Sequence, residues 1–315
     1  MKISAVIPAY NSAKFVNAAV ASIQAQTKPV AEIIIVDDGS TDETEAVVRA
    51  LPGNIVYYKQ ANQGPSAARN KGIELATGDW IAFLDADDQW TADKIALQKA
   101  ILEKYPELVL VAGDMAEIDN NDHIITESVL AKHGMLEGFQ DLAGQAIPNA
   151  LARLVTKNFI PTGTVLAKRD ILIAAGGFNA DIRFGEDLEL WAKIATYHPI
   201  GCLPQRLMLR RQHGKNATSA NESMLLDLTK VMDSIRTFSE QQLKHQGLDP
   251  NQLVADAFWN LGYWYFATYK SNLARNAFVS SLKQQLTWRS FAYLIASSLP
   301  RLLVLRIRKF KQRIS

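Results

Sequence analysis

Three carboxylates, Asp85, Asp87 and Asp88, sit within four residues at the end of the apolar run "WIAFLDADDQW". At neutral pH they repel one another unless something nearby offsets their charge. Hard divalent cations such as Mg²⁺ and Mn²⁺ prefer carboxylate oxygens, commonly taking one or two from the protein and completing the shell with phosphate oxygens. In an extended segment alternate residues face the same way, so Asp85 and Asp87 could converge on one cation. The competing reading is a turn in which Asp88 or Thr91 caps the next helix.

Three further clusters carry the residue types of a site. In "VDDGSTDET", Asp38 and Ser40 flank Gly39 after an apolar strand. Asp38 there either caps the following helix or accepts a hydrogen bond from a ligand, such as the N–H of a uracil ring. Glu186 and Asp187 follow Gly185 at the start of a helical pattern, where the macrodipole favours acids. The same dipole would keep Asp187 ionised, and an ionised carboxylate in a cleft can take the proton of an attacking hydroxyl. "RRQHGKNATS" places Arg210, Arg211, His213 and Lys215 within six residues. Beside a metal-bound diphosphate such a cluster would neutralise a departing anion; otherwise a loop histidine is a bystander. "PAYNSAK" stands where a dinucleotide-binding chain would carry G-x-G-x-x-G, which argues against a nicotinamide or flavin enzyme.

The elements around these clusters alternate. "KISAVIPAY", "AEIIIVDD", "NIVYYKQ" and "WIAFLDADD" read as strands, and the segments between them have helical periodicity. In the first helix Phe15, Val16, Ala19, Val20 and Ile23 share a face. Ser40 and Glu43 have capping-box spacing, Pro65 suits the first turn of the third helix, and a fourth runs to Tyr105. Strands apolar along their whole length imply a parallel sheet covered on both faces. In such sheets ligands bind at the carboxyl ends of the strands. The polar groups Ala9-Tyr10-Asn11, Asp37-Asp38, Gln60-Asn62 and Asp85-Asp87-Asp88 all fall at such ends. Farther on, "ELVLVAGDMAEI" and "HIITESVL" predict a strand pair joined by "DNND". A helix is expected over 138–157, bent at Pro148, and a strand and helix over 162–178. A helix over 185–197 and a closing strand from Gly201 follow. From about residue 222 the pattern is wholly helical.

The 315 residues suffice for one large domain or two ordinary ones. Charge is nearly balanced, so nucleic acid is not suggested, except that from Arg301 onward there are six basic residues (Arg301, Arg306, Arg308, Lys309, Lys311, Arg313) and no acid. Cys202 is the single cysteine, so no intrachain disulfide can form and a reducing compartment is the simple expectation. The short apolar start is broken by Pro8 and reads as a strand rather than a secretion signal. No stretch approaches the roughly 20 apolar residues of a membrane span. These features point to the cytoplasm, with peripheral contact on the inner face of the cell membrane left open.

The motifs "IPAYNS", "IIIVDDGSTDET", "NQGPSAARNKGIELATGDWIAFLDADD", "GGFNADIRFGEDLELW" and "RRQHGKNATS", in that order, closely resemble the family 2 glycosyltransferases. The resemblance covers roughly residues 1–220. It implies a GT-A fold, that is, an α/β Rossmann-like, mostly parallel sheet flanked by helices. Residues 1–220 would be the catalytic domain, with about 1–112 binding the nucleotide-sugar and about 113–220 on the acceptor side. Residues 221–315 would be a helical extension with a basic amphipathic tail.

The family moves a sugar from a nucleotide donor to an acceptor hydroxyl with inversion. Carried over, Pro8, Tyr10 and Asp38 would hold the nucleobase, and Asp85 the ribose or metal. Ala9, Asn11, Asn62, Gly64, Arg69 and Ala86 would line the same nucleotide-sugar site. Asp87 and His213 would hold the divalent cation, Mn²⁺ or Mg²⁺. Asp187 resembles the general base, Glu186 would orient the acceptor or sugar, and Arg210 or Arg211 would steady the leaving group. The donor would be UDP-linked by family habit, and the acceptor a glycan or lipid-linked glycan of cell-surface polysaccharide, lipopolysaccharide or capsule synthesis. An oligomer is left open, and the tail could meet an anionic membrane surface. Two alternatives are a nucleotide-sugar binding scaffold without catalysis and a nucleotidyltransferase. The second would normally carry a Gly-rich phosphate loop where this chain has "PAYNSAK".

Overall fold

A computed structural model describes residues 1–212 and 221–298. His213 and Lys215, and the basic tail beyond residue 298, lie outside the described residues. The chain divides into two compact units that part between residues 218 and 219.

The first unit is built on one mixed sheet. Its strands are β1 (Ile3–Ala9), β2 (Glu32–Asp37), β3 (Ile55–Lys59), β4 (Trp80–Phe83), β5 (Gln89–Trp90), β6 (Leu110–Ile118), β7 (Ile124–Thr126), β8 (Leu166–Lys168) and β9 (Ile200–Arg211). Their order is β3-β2-β1-β4-β8-β6-β9-β5, with β7 on β6. The run β3-β2-β1-β4 is parallel. β8 then runs antiparallel to both β4 and β6, and β6 and β9 are parallel to each other. Every residue of β1, β2, β4 and β6 is buried, as a sheet covered on both faces requires. The helix Val16–Gln24 covers one face with Val16, Ala19, Val20 and Ile23. The helix Pro65–Leu75 lies so close to β1 that a Cβ at Gly72 would meet Val6 at 2.3 Å.

Several local expectations change. β4 stops at Phe83 because its register with β1 ends at Val6, and Asp85–Asp88 form a turn closed by the Asp88 N–H on the Asp85 carbonyl at 3.1 Å. The acids therefore gather by turning, not by strand alternation. Neither Asp88 nor Thr91 caps a helix. Gln89–Trp90 joins β9 as a sheet strand, the Thr91 hydroxyl donates to the Arg206 carbonyl at 2.9 Å, and the helix begins only at Lys94. The Ser40–Glu43 capping box is not formed. The Ser40 hydroxyl accepts the Asn11 N–H at 2.9 Å, and Asp42 takes the Thr44 N–H at 3.0 Å. The helix expected over 138–157 is two helices, Leu136–Leu142 and Ala150–Thr156. Ala143 and Asn149 adopt left-handed backbone, which no continuous helix tolerates. "HIITESVL" keeps only β7 as strand, because Ser128 caps a short helix, Val129–Lys132, by accepting the Ala131 N–H at 2.9 Å.

The second unit consists, among the described residues, of the helices Glu222–His245, Pro250–Ala267, Ser271–Gln284 and Trp288–Ser298. Leu261, Tyr265, Ala274, Ala277 and Phe278 form its buried core. Asp249 caps the second helix through the Asn251 N–H at 2.9 Å, with Pro250 in the first turn.

Candidate active site

The carboxyl ends of β1, β2 and β3 are tied into one surface. Asn11 sits in left-handed backbone, and its side-chain oxygen accepts the Thr41 N–H at 2.9 Å, joining the β1 and β2 loops. Asp37 is buried and accepts the Tyr57 hydroxyl at 2.6 Å and the Ser40 N–H at 2.7 Å. Gly39 takes φ +78°, and a Cβ there would meet the Asn62 backbone nitrogen at 2.9 Å, so this turn fits only glycine. Asp38 is buried and accepts three protein donors: Gln60 Nε2 at 2.8 Å, Gln63 N–H at 2.9 Å and Gly64 N–H at 2.7 Å. It thereby holds Gln60, Gln63 and Gly64 at the sheet edge, with about one acceptor position left for a ligand. Pro8 is buried in β1 opposite Val36, Ala9 follows it, and Tyr10 is 52% exposed. The structure thus brings Pro8, Ala9, Tyr10, Asn11, Asp38, Asn62 and Gly64 together.

Gly64 opens the helix that carries Arg69. Arg69 is buried, and its two terminal nitrogens divide between Asp85 Oδ1 at 2.7 Å and Glu186 Oε1 at 2.9 Å. Its guanidinium also lies 5.3 Å from the centre of the Phe178 ring. One side chain therefore joins the acidic turn to the Glu186-Asp187 pair, which starts the helix Glu186–Tyr197.

Asp187 collects donors: the Leu188 N–H at 2.6 Å, Asn158 Nδ2 at 3.3 Å and the Thr162 hydroxyl at 3.4 Å. Burial raises its carboxyl above the ordinary range, and these bonds together with Arg69 oppose the rise. Glu186 is pushed up to about 7, by burial first and by the Asp187 charge second, with Arg69 opposing. The two carboxyls therefore titrate as a pair, with the donors on Asp187 favouring its ionised form.

Below this pair lies a buried polar support. The Trp90 indole donates to the carbonyls of Phe83 at 3.2 Å and Gly163 at 3.0 Å. Lys94 is fully buried, with Nζ 2.8 Å from Gln98 Oε1 and 4.4 Å from the Trp90 ring centre. Gln98 donates to the Thr164 carbonyl at 2.8 Å. These contacts fix the single turn Thr162–Thr164, which presents Thr162 to Asp187.

In the acidic turn Ala86 and Asp88 are buried. Asp88 accepts the Arg211 N–H at 2.8 Å, yet its carboxyl is pushed well above the usual range by burial and by the charges of Asp87 and Asp85. Arg211 is committed within the protein, to the carbonyls of Asp87 at 3.2 Å and Asp119 at 2.8 Å and to Asp122 Oδ1 at 2.5 Å. It clamps the turn. Arg210 instead lines a cavity of about 210 Å³ with Met115, Glu117, Leu130, Met135 and Asn158. Asp85, which Arg69 also holds, and Asp87 offer the carboxylate oxygens that a hard divalent cation takes. Among the described residues no group of three His, Cys, Asp or Glu side chains forms a ready metal cage. A cation that borrows phosphate oxygens from its ligand needs only one or two of these carboxylates.

Asn158, Thr162, Trp90 and Lys94 escaped the sequence reading. Asn158 and Thr162 lie 29 and 25 residues from Asp187, and no spacing links them to it. The only signal was polar residues around Pro161 in an otherwise apolar stretch.

The family described as "Glycosyl transferase family 2" matches residues 4–157. An uncharacterized glycosyltransferase of Nostoc sp. is 32% identical over 278 residues, 84% of this chain and 77% of that protein. Another, from Rickettsia conorii, is 32% identical over 219 residues, 69% of this chain. The chain spans only about a third of the length of that relative, 34%. Among solved structures, S. aureus TarS residues 1–349 in complex with UDP-GlcNAc superposes with a TM-score of 0.68 at 17% identity, covering 94% of this chain and 84% of that one. At that identity the likeness speaks for the fold. The sheet and the solved structures share the GT-A fold, and the sequence relatives are named glycosyltransferases. The chain belongs to glycosyltransferase family 2.

Proposed function

We propose that this chain transfers a sugar from a nucleotide-sugar donor to an acceptor hydroxyl with inversion, in a single displacement with Asp187 as general base. The observation that carries this reading is the Arg69 bridge, which joins Asp85 of the acidic turn to Glu186 beside the base. The donor would lie across the loops after β1, β2 and β3, its base near Pro8, Tyr10 and Asp38 and its ribose near Asp85. A UDP-linked donor is supported by the TarS structure solved with UDP-GlcNAc.

Asp187 takes the acceptor proton in its ionised form, which the donors Asn158 and Thr162 favour and orient. Glu186 orients acceptor or sugar, and Arg210 rather than Arg211 steadies the departing diphosphate. Asp87 with Asp85 would hold Mn²⁺ or Mg²⁺, and His213 belongs to the same proposal. Such a cation supplies charge neutralisation at the diphosphate when bound. Residues 1–112 serve the donor and 113–220 the acceptor, whose glycan enters by the cavity that Asn158 lines.

We place the protein in the cytoplasm, at the inner membrane face through its basic tail, acting on a cell-surface or lipid-linked glycan. No helix among the described residues is long and apolar enough to cross a membrane. Nucleoside diphosphate release from a donor panel, with and without Mn²⁺, tests the activity. Release that rises with acceptor supports transfer. A donor that binds but never turns over means a scaffold, and pyrophosphate-dependent triphosphate formation means nucleotidyl transfer.

A further inference from the structure

We propose that the outer face of the helix Trp288–Ser298 is a membrane-contact surface that lies in the headgroup layer of an anionic bilayer. Trp288, Phe291 and Ile295 recur at i, i+3 and i+7, so they share one stripe of the helix. They are 79%, 46% and 50% exposed, and Leu286 just before them is 89% exposed. Large apolar residues exposed singly need no explanation; four within ten residues form a patch that does.

The opposite face of this helix is fixed. The Ser290 hydroxyl is buried 2.8 Å from that of Ser281, and the Tyr293 ring lies 5.5–5.7 Å from those of Trp259, Tyr263, Phe266 and Phe278. The outer stripe is thus held outward by packing on the inner one.

Its occupant is identified by what adjoins it in sequence. Residues 299–315 carry six basic side chains and no acid, the complement of an anionic lipid surface. Trp prefers the membrane–water boundary, and Trp, Phe and Leu make the apolar face of helices that lie there. The 11 described residues of this helix are too few to span a bilayer and can lie along it with their apolar face down. The inference rests on the proposed membrane location, and adds that a folded helix outside the tail makes the apolar contact.

The test is flotation of the full-length chain with phosphatidylcholine vesicles containing about one quarter phosphatidylglycerol, a charge density suited to a basic segment. Brominated-lipid quenching of tryptophan emission gives the depth of contact. The wild type is expected to float and to be quenched. The triple substitution Trp288→Ser, Phe291→Ser, Ile295→Ser should lower partition by about a hundredfold, with thermal melting and vesicle-free nucleoside diphosphate release unchanged. Replacing the six tail bases by Gln should abolish the preference for anionic over pure phosphatidylcholine vesicles. Flotation of the triple variant like wild type overturns the proposal, as does failure of the wild type to float. So does a dimer in light scattering that the triple variant dissolves without lipid, which assigns the face to a second copy. Failure of the transferase reading would appear separately, as vesicle binding without turnover.

Discussion

Arg69 and Asp85 are joined at 2.7 Å while the other arm of the same guanidinium holds Glu186 at 2.9 Å. The two carboxylates belong to segments a hundred residues apart in the chain, so the arginine sets the spacing between the donor end and the base end of the proposed site. A planar fork does this; an ammonium on a flexible stem binds one partner at a time. Arg69→Lys should therefore keep the fold and lower kcat/KM by about tenfold or more, each lost charge-assisted bond being worth about 1.5–3 kcal/mol. Arg69→Met strands both carboxylates and should also lower Tm. Differential scanning calorimetry and steady-state kinetics on the two variants check this.

The pH profile follows from the Glu186-Asp187 pair. Both carboxyls are raised by burial, Glu186 to about 7 with the Asp187 charge adding to the rise. Activity should rise with pH through an acidic limb above the ordinary carboxylate range, as the base becomes ionised. Glu186→Gln keeps a polar partner for Arg69 but removes the neighbouring charge. The step near 7 should then vanish, leaving one ionisation at lower pH. Profiles of kcat/KM for the two proteins would show it; an unchanged limb in the variant would contradict the pairing.

Asp88 governs stability rather than chemistry. Its carboxyl is held well above the usual range, so the folded protein binds that proton more tightly than the unfolded chain. The stability this contributes is present in acid and is lost as pH rises through the folded value. Asp88→Asn keeps an acceptor for the Arg211 N–H and removes the repulsion. It should raise Tm at about pH 8 and leave it unchanged at about pH 4. Mn²⁺ should raise the wild-type Tm at the higher pH, and Asp87→Ala should abolish that gain. Thermal melts across pH, with and without the ion, read both effects.

The parallel half of the fold was legible because its strands are buried on both faces and so read as apolar runs, such as Ile33–Val36 and Ile81–Phe83, bounded by turn residues. The helix boundaries were less legible because competing partners are non-local. Ser40 serves Asn11 rather than its own helix, and Thr91 serves Arg206 across the sheet. Ala143 and Asn149 break a helix through backbone conformations that their residue types do not announce. In the site, acids at strand ends were visible as types, but their partners were not. Nothing near Arg211 in sequence says that its guanidinium will be used up on Asp87, Asp119 and Asp122. Nor does anything near Asp187 point to Asn158 and Thr162.

Asp187 as the base is tested most directly by Asp187→Asn, measuring donor binding by calorimetry and single-turnover transfer on the same preparation. The amide keeps the shape, accepts from Asn158 through its oxygen and can donate to the Thr162 hydroxyl, but cannot take the acceptor proton. Donor affinity should stay within about threefold, while the transfer rate falls by about 10²–10⁴. Transfer at the wild-type rate in Asp187→Asn would contradict the assignment.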